Sequence, residues 1–192
     1  MNIHNELISR NQEFAADFRG DVQMLPNLRL VLLTCLDPRV DPAHILGLNL
    51  GDAVVIRNTG GRVTKSVVDE IATLSVMVNR ATGGQEAGFH IVLMQHTQCG
   101  AQQLAHPQLR SMLAEKLGVD TSEYAITDHQ SDLQTDIKRL VDAHFLPDAI
   151  SVSALLYDVA TGQVGEIVQP KRLSELRTSP KNAADSAFQH KT

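Results

Sequence analysis

Residues 28–39 read Leu-Arg-Leu-Val-Leu-Leu-Thr-Cys-Leu-Asp-Pro-Arg, and this stretch decides the fold. Leu28 to Leu33 is a mostly continuous apolar run of the length of a strand buried on both faces. Cys35 lies just past its carboxyl end, with Asp37 and Arg39 in the loop beyond. In open α/β sheets function gathers at the carboxyl ends of strands, and this strand delivers a thiol, a carboxylate and a guanidinium there.

Upstream, Leu7, Phe14, Ala15 and Phe18 share one stripe at helical spacing, which predicts an amphipathic N-terminal helix stopping at Gly20. Downstream, Ala53-Val54-Val55-Ile56 is a second short strand, followed by a loop carrying Asn58, Gly60 and Gly61. Val67, Ile71, Leu74 and Val78 then predict a helix from Thr64 to about Arg80, with Thr64 as its cap. Phe89 to Met94 is the next apolar run, and its end delivers Gln95, His96 and Cys99. Pro107 starts a short helix, Leu109, Met112, Leu113 and Leu117 face inward, and Gly118 stops it. Ser131 with Gln134 resembles a capping box for a helix that continues through Leu133, Ile137 and Leu140 toward Phe145. Val152–Tyr157 and Val164–Val168 are expected to form a closing pair of strands.

Strands alternating with helices define an α/β fold with a mainly parallel central sheet flanked by helices. Residues 1–176 are expected to form one domain, with 1–20 as an N-terminal helical arm, and 177–192 a flexible tail. The chain has 192 residues, 43% apolar and 20% charged, a globular composition. Its formal charge of -5, with no basic cluster interleaved with aromatic residues, argues against a nucleic-acid partner. No apolar run approaches the ~20 residues of a membrane span, and the first residues lack the apolar core of a signal peptide. A cytoplasmic protein is therefore expected, in which two cysteines point to metal binding or reactivity rather than to a disulfide scaffold.

Zinc prefers thiolate and imidazole, and a catalytic zinc keeps one position open. Cys35, His96 and Cys99 supply three such ligands, each at the end of a buried strand or one tight turn beyond it. Any one of them alone reads better as a buried hydrophobe or a satisfied core histidine. Asp37 has two options: it can take the fourth zinc position and close the site, or pair with Arg39 and leave that position to water. An ordinary loop ion pair is the plainer reading of these two residues.

Cys35-Leu36-Asp37-Pro38-Arg39 resembles the C-x-D-x-R motif of beta-class carbonic anhydrases, and His96-Thr97-Gln98-Cys99-Gly100 is similar to their H-x-x-C-G motif. Val40-Asp41-Pro42, Leu46-Gly47-Leu48, Gly51-Asp52 and the run from Ile56 to Thr64 are similar to the stretch joining the two motifs in that family. The resemblance implies one zinc per subunit and reversible hydration of carbon dioxide to bicarbonate and a proton by zinc-bound hydroxide. It implies that Gly100 offers its backbone N–H near the substrate, and that Asn58 and Gly60 shape the site. It also implies a homodimer or higher homo-oligomer in which the N-terminal helix packs on the partner. Gln95 stands where that family often has a second histidine, Gln98 where many members carry Asp, and Pro38 where a small residue is commoner.

Two other enzymatic readings keep the zinc site: hydrolysis of carbonyl sulfide or of carbon disulfide, as in some proteins with these motifs. A zinc-binding but catalytically silent assembly or sensor protein is a reading of another class, and has no need of Asp37 and Arg39. A redox sensor using Cys35 and Cys99 as a dithiol has no need of His96.

Overall fold

The computed structural model describes residues 2–84 and 88–178. In chain order the elements are α1 (Ile3–Asp17), β1 (Leu30–Cys35), α2 (Pro42–Ile45), β2 (Ala53–Asn58), α3 (Lys65–Ala81) and β3 (His90–His96), then α4 (Pro107–Leu117), α5 (His129–Asp142), β4 (Ser151–Tyr157), β5 (Val164–Arg172) and α6 (Leu173–Thr178). The five strands form one sheet in the order β2-β1-β3-β4-β5. The first four are parallel and β5 returns antiparallel against β4. This is the mainly parallel α/β sheet that the sequence predicts.

β1 is central and buried from Val31 to Cys35, which explains its unbroken apolar run. Alternation along the strands divides the core. Val31, Leu33, Ile91, Leu93, Val152 and Ala154 pack with Val67 and Ile71 of α3, Leu133, Ile137 and Leu140 of α5, and Leu173 of α6. Burying each of the larger aliphatic side chains stabilises the fold by about 1.5–3 kcal/mol. Leu32, Met94 and Tyr157 belong to a separate cluster with Val40. β1 and β3 run in register, Thr34 beside Met94, so their carboxyl ends arrive at the same edge.

Several local signals act as read. Thr64 caps α3 by accepting from the Val67 N–H, and Gly118 ends α4 in the left-handed region at φ 65°. Others are corrected. The strands at Cys35 and His96 run to those residues rather than stopping before them. Helix α5 starts at His129, two residues before Ser131: Asp128 is the cap and its carboxylate accepts from the Ser131 N–H. Met112 and Leu117 are exposed, because α4 packs through Leu109 and Leu113 on a small cluster around Cys35 and Cys99 instead of on the main core.

Arg177 belongs to α6 and not to a tail, since its guanidinium donates to the carbonyls of Val141, Ala143 and Leu146 and pairs with Asp148. The rest of the expected tail, 179–192, lies outside the described residues, as do 85–87 of the glycine-rich loop after α3. Among the described residues no helix is long and apolar enough to cross a membrane.

Candidate metal centre

Strand β1 ends on Cys35 and strand β3 on His96, and a tight turn carries the chain from His96 to Cys99. Gln98 takes a left-handed conformation in that turn, φ 54°, a strained value for a residue with a side chain. The result brings Cys35 Sγ to 3.7 Å from Cys99 Sγ. These two sulfurs and a ring nitrogen of His96 all lie within 4.8 Å of one another, on three buried residues.

The histidine is aimed. Its Nδ1 lies 2.9 Å from the Thr97 carbonyl oxygen, which can only accept, so Nδ1 carries the proton and Nε2 presents its lone pair. Nε2 is buried and has no hydrogen-bond partner. An orphaned imidazole nitrogen beside two thiols costs free energy unless something electrophilic completes it. A borderline-soft cation fits that donor set.

The two thiols behave as a coupled pair. Cys35 is pulled well below the ordinary thiol range, chiefly by the hydrogen bond from Cys99, with further help from the backbone N–H groups of Asp37 and Gly60. Cys99 shifts upward, because it keeps the shared proton and is desolvated. Both are free thiols.

Asp37 pairs with Arg39 here. Arg39 Nε donates to Oδ1 at 3.0 Å, Nη2 donates to Oδ2 at 2.7 Å, and the Arg39 backbone N–H adds a third bond to Oδ1 at 2.9 Å. This grip lowers the Asp37 pKa to about 2. Arg39 also donates to the Gln98 carbonyl at 3.1 Å, so one guanidinium spans both motif loops. Asp37 Oδ2 stays 3.9 Å from His96 Nε2.

The remaining expected residues divide. Gly60 is buried and holds φ 78°, beside Gly61, where an added β-carbon would lie 2.9 Å from the Cys35 nitrogen. Asn58 uses its amide on the loop, donating to the Arg62 carbonyl at 2.7 Å and accepting from the Arg62 N–H at 2.8 Å. Gly100 is exposed at the start of a 3-10 turn, and a β-carbon there would meet nothing within 4 Å.

Two arginines were not singled out by motif. Arg57 on β2 donates to the carbonyls of Cys35 at 3.1 Å and Asp37 at 2.8 Å, pinning the first loop from the next strand. Arg62 is buried among carboxylates of α5. The partners of both are backbone carbonyls or distant carboxylates, which leave no local pattern in a sequence.

A thiol–imidazole–thiol cluster at the carboxyl edge of a parallel sheet, flanked by an arginine-clamped carboxylate, is a donor set that could hold a metal ion. The family profile described as carbonic anhydrase matches residues 30–164, and the chain belongs to the beta-carbonic anhydrase family. It is 27% identical to beta-carbonic anhydrase 1 of Mycobacterium tuberculosis over 169 residues, covering 87% of this chain and 99% of that protein. The crystal structure of carbonic anhydrase from Streptococcus mutans superposes with a TM-score of 0.71 at 32% identity, covering 87% of this chain and 98% of the other. A carbon disulfide hydrolase of Saccharolobus solfataricus is 35% identical over 123 residues, covering 64% of this chain and 54% of that enzyme.

Proposed function

We propose that this chain catalyses the reversible hydration of carbon dioxide to bicarbonate and a proton, on a zinc held by Cys35, His96 and Cys99. The observation that carries this reading is the buried, partnerless His96 Nε2 between two free thiols, with Asp37 clamped beside it. Zinc supplies the chemistry by acidifying water, which creates a nucleophile near neutral pH. Asp37 would accept a hydrogen bond from a water held at this site and orient it. Arg39 keeps Asp37 ionised and turned toward itself, which favours the carboxylate as a hydrogen-bond acceptor over a fourth ligand. Ala101, Leu104 and Ile126 border the two cysteines with apolar surface, suited to a small linear substrate without charge. The Gly100 N–H is proposed to meet the substrate oxygen.

The fully formed chain is proposed to act as a homodimer or larger homo-oligomer. Helix α1 supports this: none of its residues is buried, and Ile3, Leu7 and Phe14 are all more than half exposed. Two free thiols 3.7 Å apart fit a reducing compartment such as the cytoplasm.

The test compares substrates. Zinc-loaded protein is assayed by stopped flow with carbon dioxide, and in parallel for hydrogen sulfide release from carbonyl sulfide and carbon disulfide. Carbon dioxide turnover that far exceeds sulfide release supports the proposal. The opposite order moves the chain to the hydrolase reading, which the Saccharolobus solfataricus relative favours.

A further inference from the structure

We infer that Arg62 is a positioning residue of the metal centre, a buried strut that presses the Gly60–Gly61 turn against Cys35 and ties it to the wall behind Cys99. This deepens the proposed function and rests on it.

The turn has no side chain between itself and the ligand strand. A β-carbon on Gly61 would lie 2.8 Å from the Thr34 carbonyl carbon and 2.9 Å from the Cys35 nitrogen, so only glycine permits the approach. On the other side, a β-carbon on Gly60 would lie 2.9 Å from the Tyr124 carbonyl oxygen and 3.2 Å from Ala101 Cβ. Three segments therefore meet at this turn: the end of β1, the 3-10 turn after Cys99, and the chain from Tyr124 to Ile126. The Ile126 N–H donates to the Ala101 carbonyl, and Ala125 and Ile126 pack with both cysteines.

Arg62 follows the turn directly and holds these segments together. It is only 4% exposed. Its Nε donates to Asp136 Oδ2 at 2.7 Å and Nη2 to Asp136 Oδ1 at 3.2 Å. Its Nη1 donates to the Ala125 carbonyl and lies 3.3 Å from Asp132 Oδ1. Asp132 in turn accepts from the Thr127 N–H at 2.7 Å and the Asp128 N–H at 3.1 Å. Asp136 is completely buried, and Arg139 reaches it at 3.3 Å while donating to the Val63 carbonyl at 2.7 Å. Two guanidiniums thus offset two carboxylates.

A buried ion cluster is a weak source of stability, since apolar residues of the same volume stabilise as well or better. What an apolar residue could not do is fix the direction of the turn through a planar fork of donors. That direction sets how the Gly60–Gly61 turn seats on the backbone of Thr34 and Cys35. Outer partners that orient metal ligands typically contribute about 10–100-fold to metal affinity.

The experiment measures zinc affinity by chelator competition, and the visible spectrum of the cobalt-substituted protein, for wild type, Arg62→Met, Asp136→Asn and Val78→Ala. Val78 packs near Arg29 and Phe89 at the opposite edge of the sheet, and its truncation controls for loss of stability alone. We expect Arg62→Met and Asp136→Asn to bind zinc at least 10-fold more weakly and to shift the cobalt bands, with Val78→Ala within twofold of wild type. Asp136→Asn keeps the volume and carries the test if Arg62→Met does not fold. Affinities of both cluster variants within twofold of wild type, or an equal loss in Val78→Ala, overturn the inference. Wild-type protein that binds no zinc, or binds it undiminished after Cys99→Ser, overturns instead the metal centre on which the inference rests.

Discussion

Arg39 grips both carboxylate oxygens of Asp37, Nε to Oδ1 at 3.0 Å and Nη2 to Oδ2 at 2.7 Å. The carboxylate is thereby ionised down to a pKa of about 2, with Oδ2 3.9 Å from His96 Nε2. Asp37→Asn keeps the shape but exchanges an acceptor for a donor. Carbon dioxide hydration should fall on the order of 10²-fold while zinc content stays at one per chain. Stopped-flow assays with metal analysis on the same samples check both halves.

Arg39→Gln removes the grip and leaves Asp37 free to reach the position beside His96 Nε2. The variant should lose activity most strongly at low pH and regain it as rising hydroxide competes with the carboxylate. A pH–rate profile displaced upward from that of wild type is the expected result. A profile merely scaled down would show that Arg39 does not restrain Asp37.

Helix α1 and its C-cap Phe18 present an apolar stripe that is not buried among the described residues, with Phe14 54% and Phe18 48% exposed and their rings 5.4 Å apart. Burying the two rings against a second copy would contribute about 1.5–3 kcal/mol each. Phe14→Ser with Phe18→Ser should therefore weaken self-association by roughly 10²-fold or more. Sedimentation velocity across a concentration series reads this directly, with smaller species at concentrations where wild type stays assembled.

His90 sits between Ser151 and Ser153, each at 2.8 Å, and burial lowers its pKa below 6.5. Between that lowered value and 6.5 the unfolded chain binds more protons than the folded one, so stability is lost as pH falls through the window. His129, also lowered by burial, adds a slope of the same sign. His90→Gln should flatten the fall in Tm on acidification below 6.5 without abolishing it. Differential scanning calorimetry at several pH values provides the check.

Much of the sheet was legible because its signals are local. A central parallel strand must be apolar on both faces, and Leu30 to Leu33 say so in six residues of context. The metal cluster was legible for a related reason: parallel neighbours end at one edge, so Cys35 and His96 needed only adjacent strands to meet. Asp37 is ambiguous in sequence, because the same residues support pairing or ligation; the structure shows the pair with Arg39. The α5 cap was misplaced since Ser131 and Gln134 imitate a box, whereas Asp128 reaches the Ser131 N–H from outside it. The Arg62 cluster was illegible, its carboxylates lying 70 and 74 residues along the chain with no periodic mark. The exposed positions of α4 follow from the small satellite cluster it covers, which composition does not announce.

The most direct test titrates zinc into metal-free protein while measuring carbon dioxide hydration by stopped flow. The rate should rise in proportion to bound zinc and level off at one ion per chain, with Cys99→Ser giving no rise. Protein carrying one zinc per chain that hydrates carbon dioxide no faster than buffer, or a rate indifferent to zinc, would contradict the account.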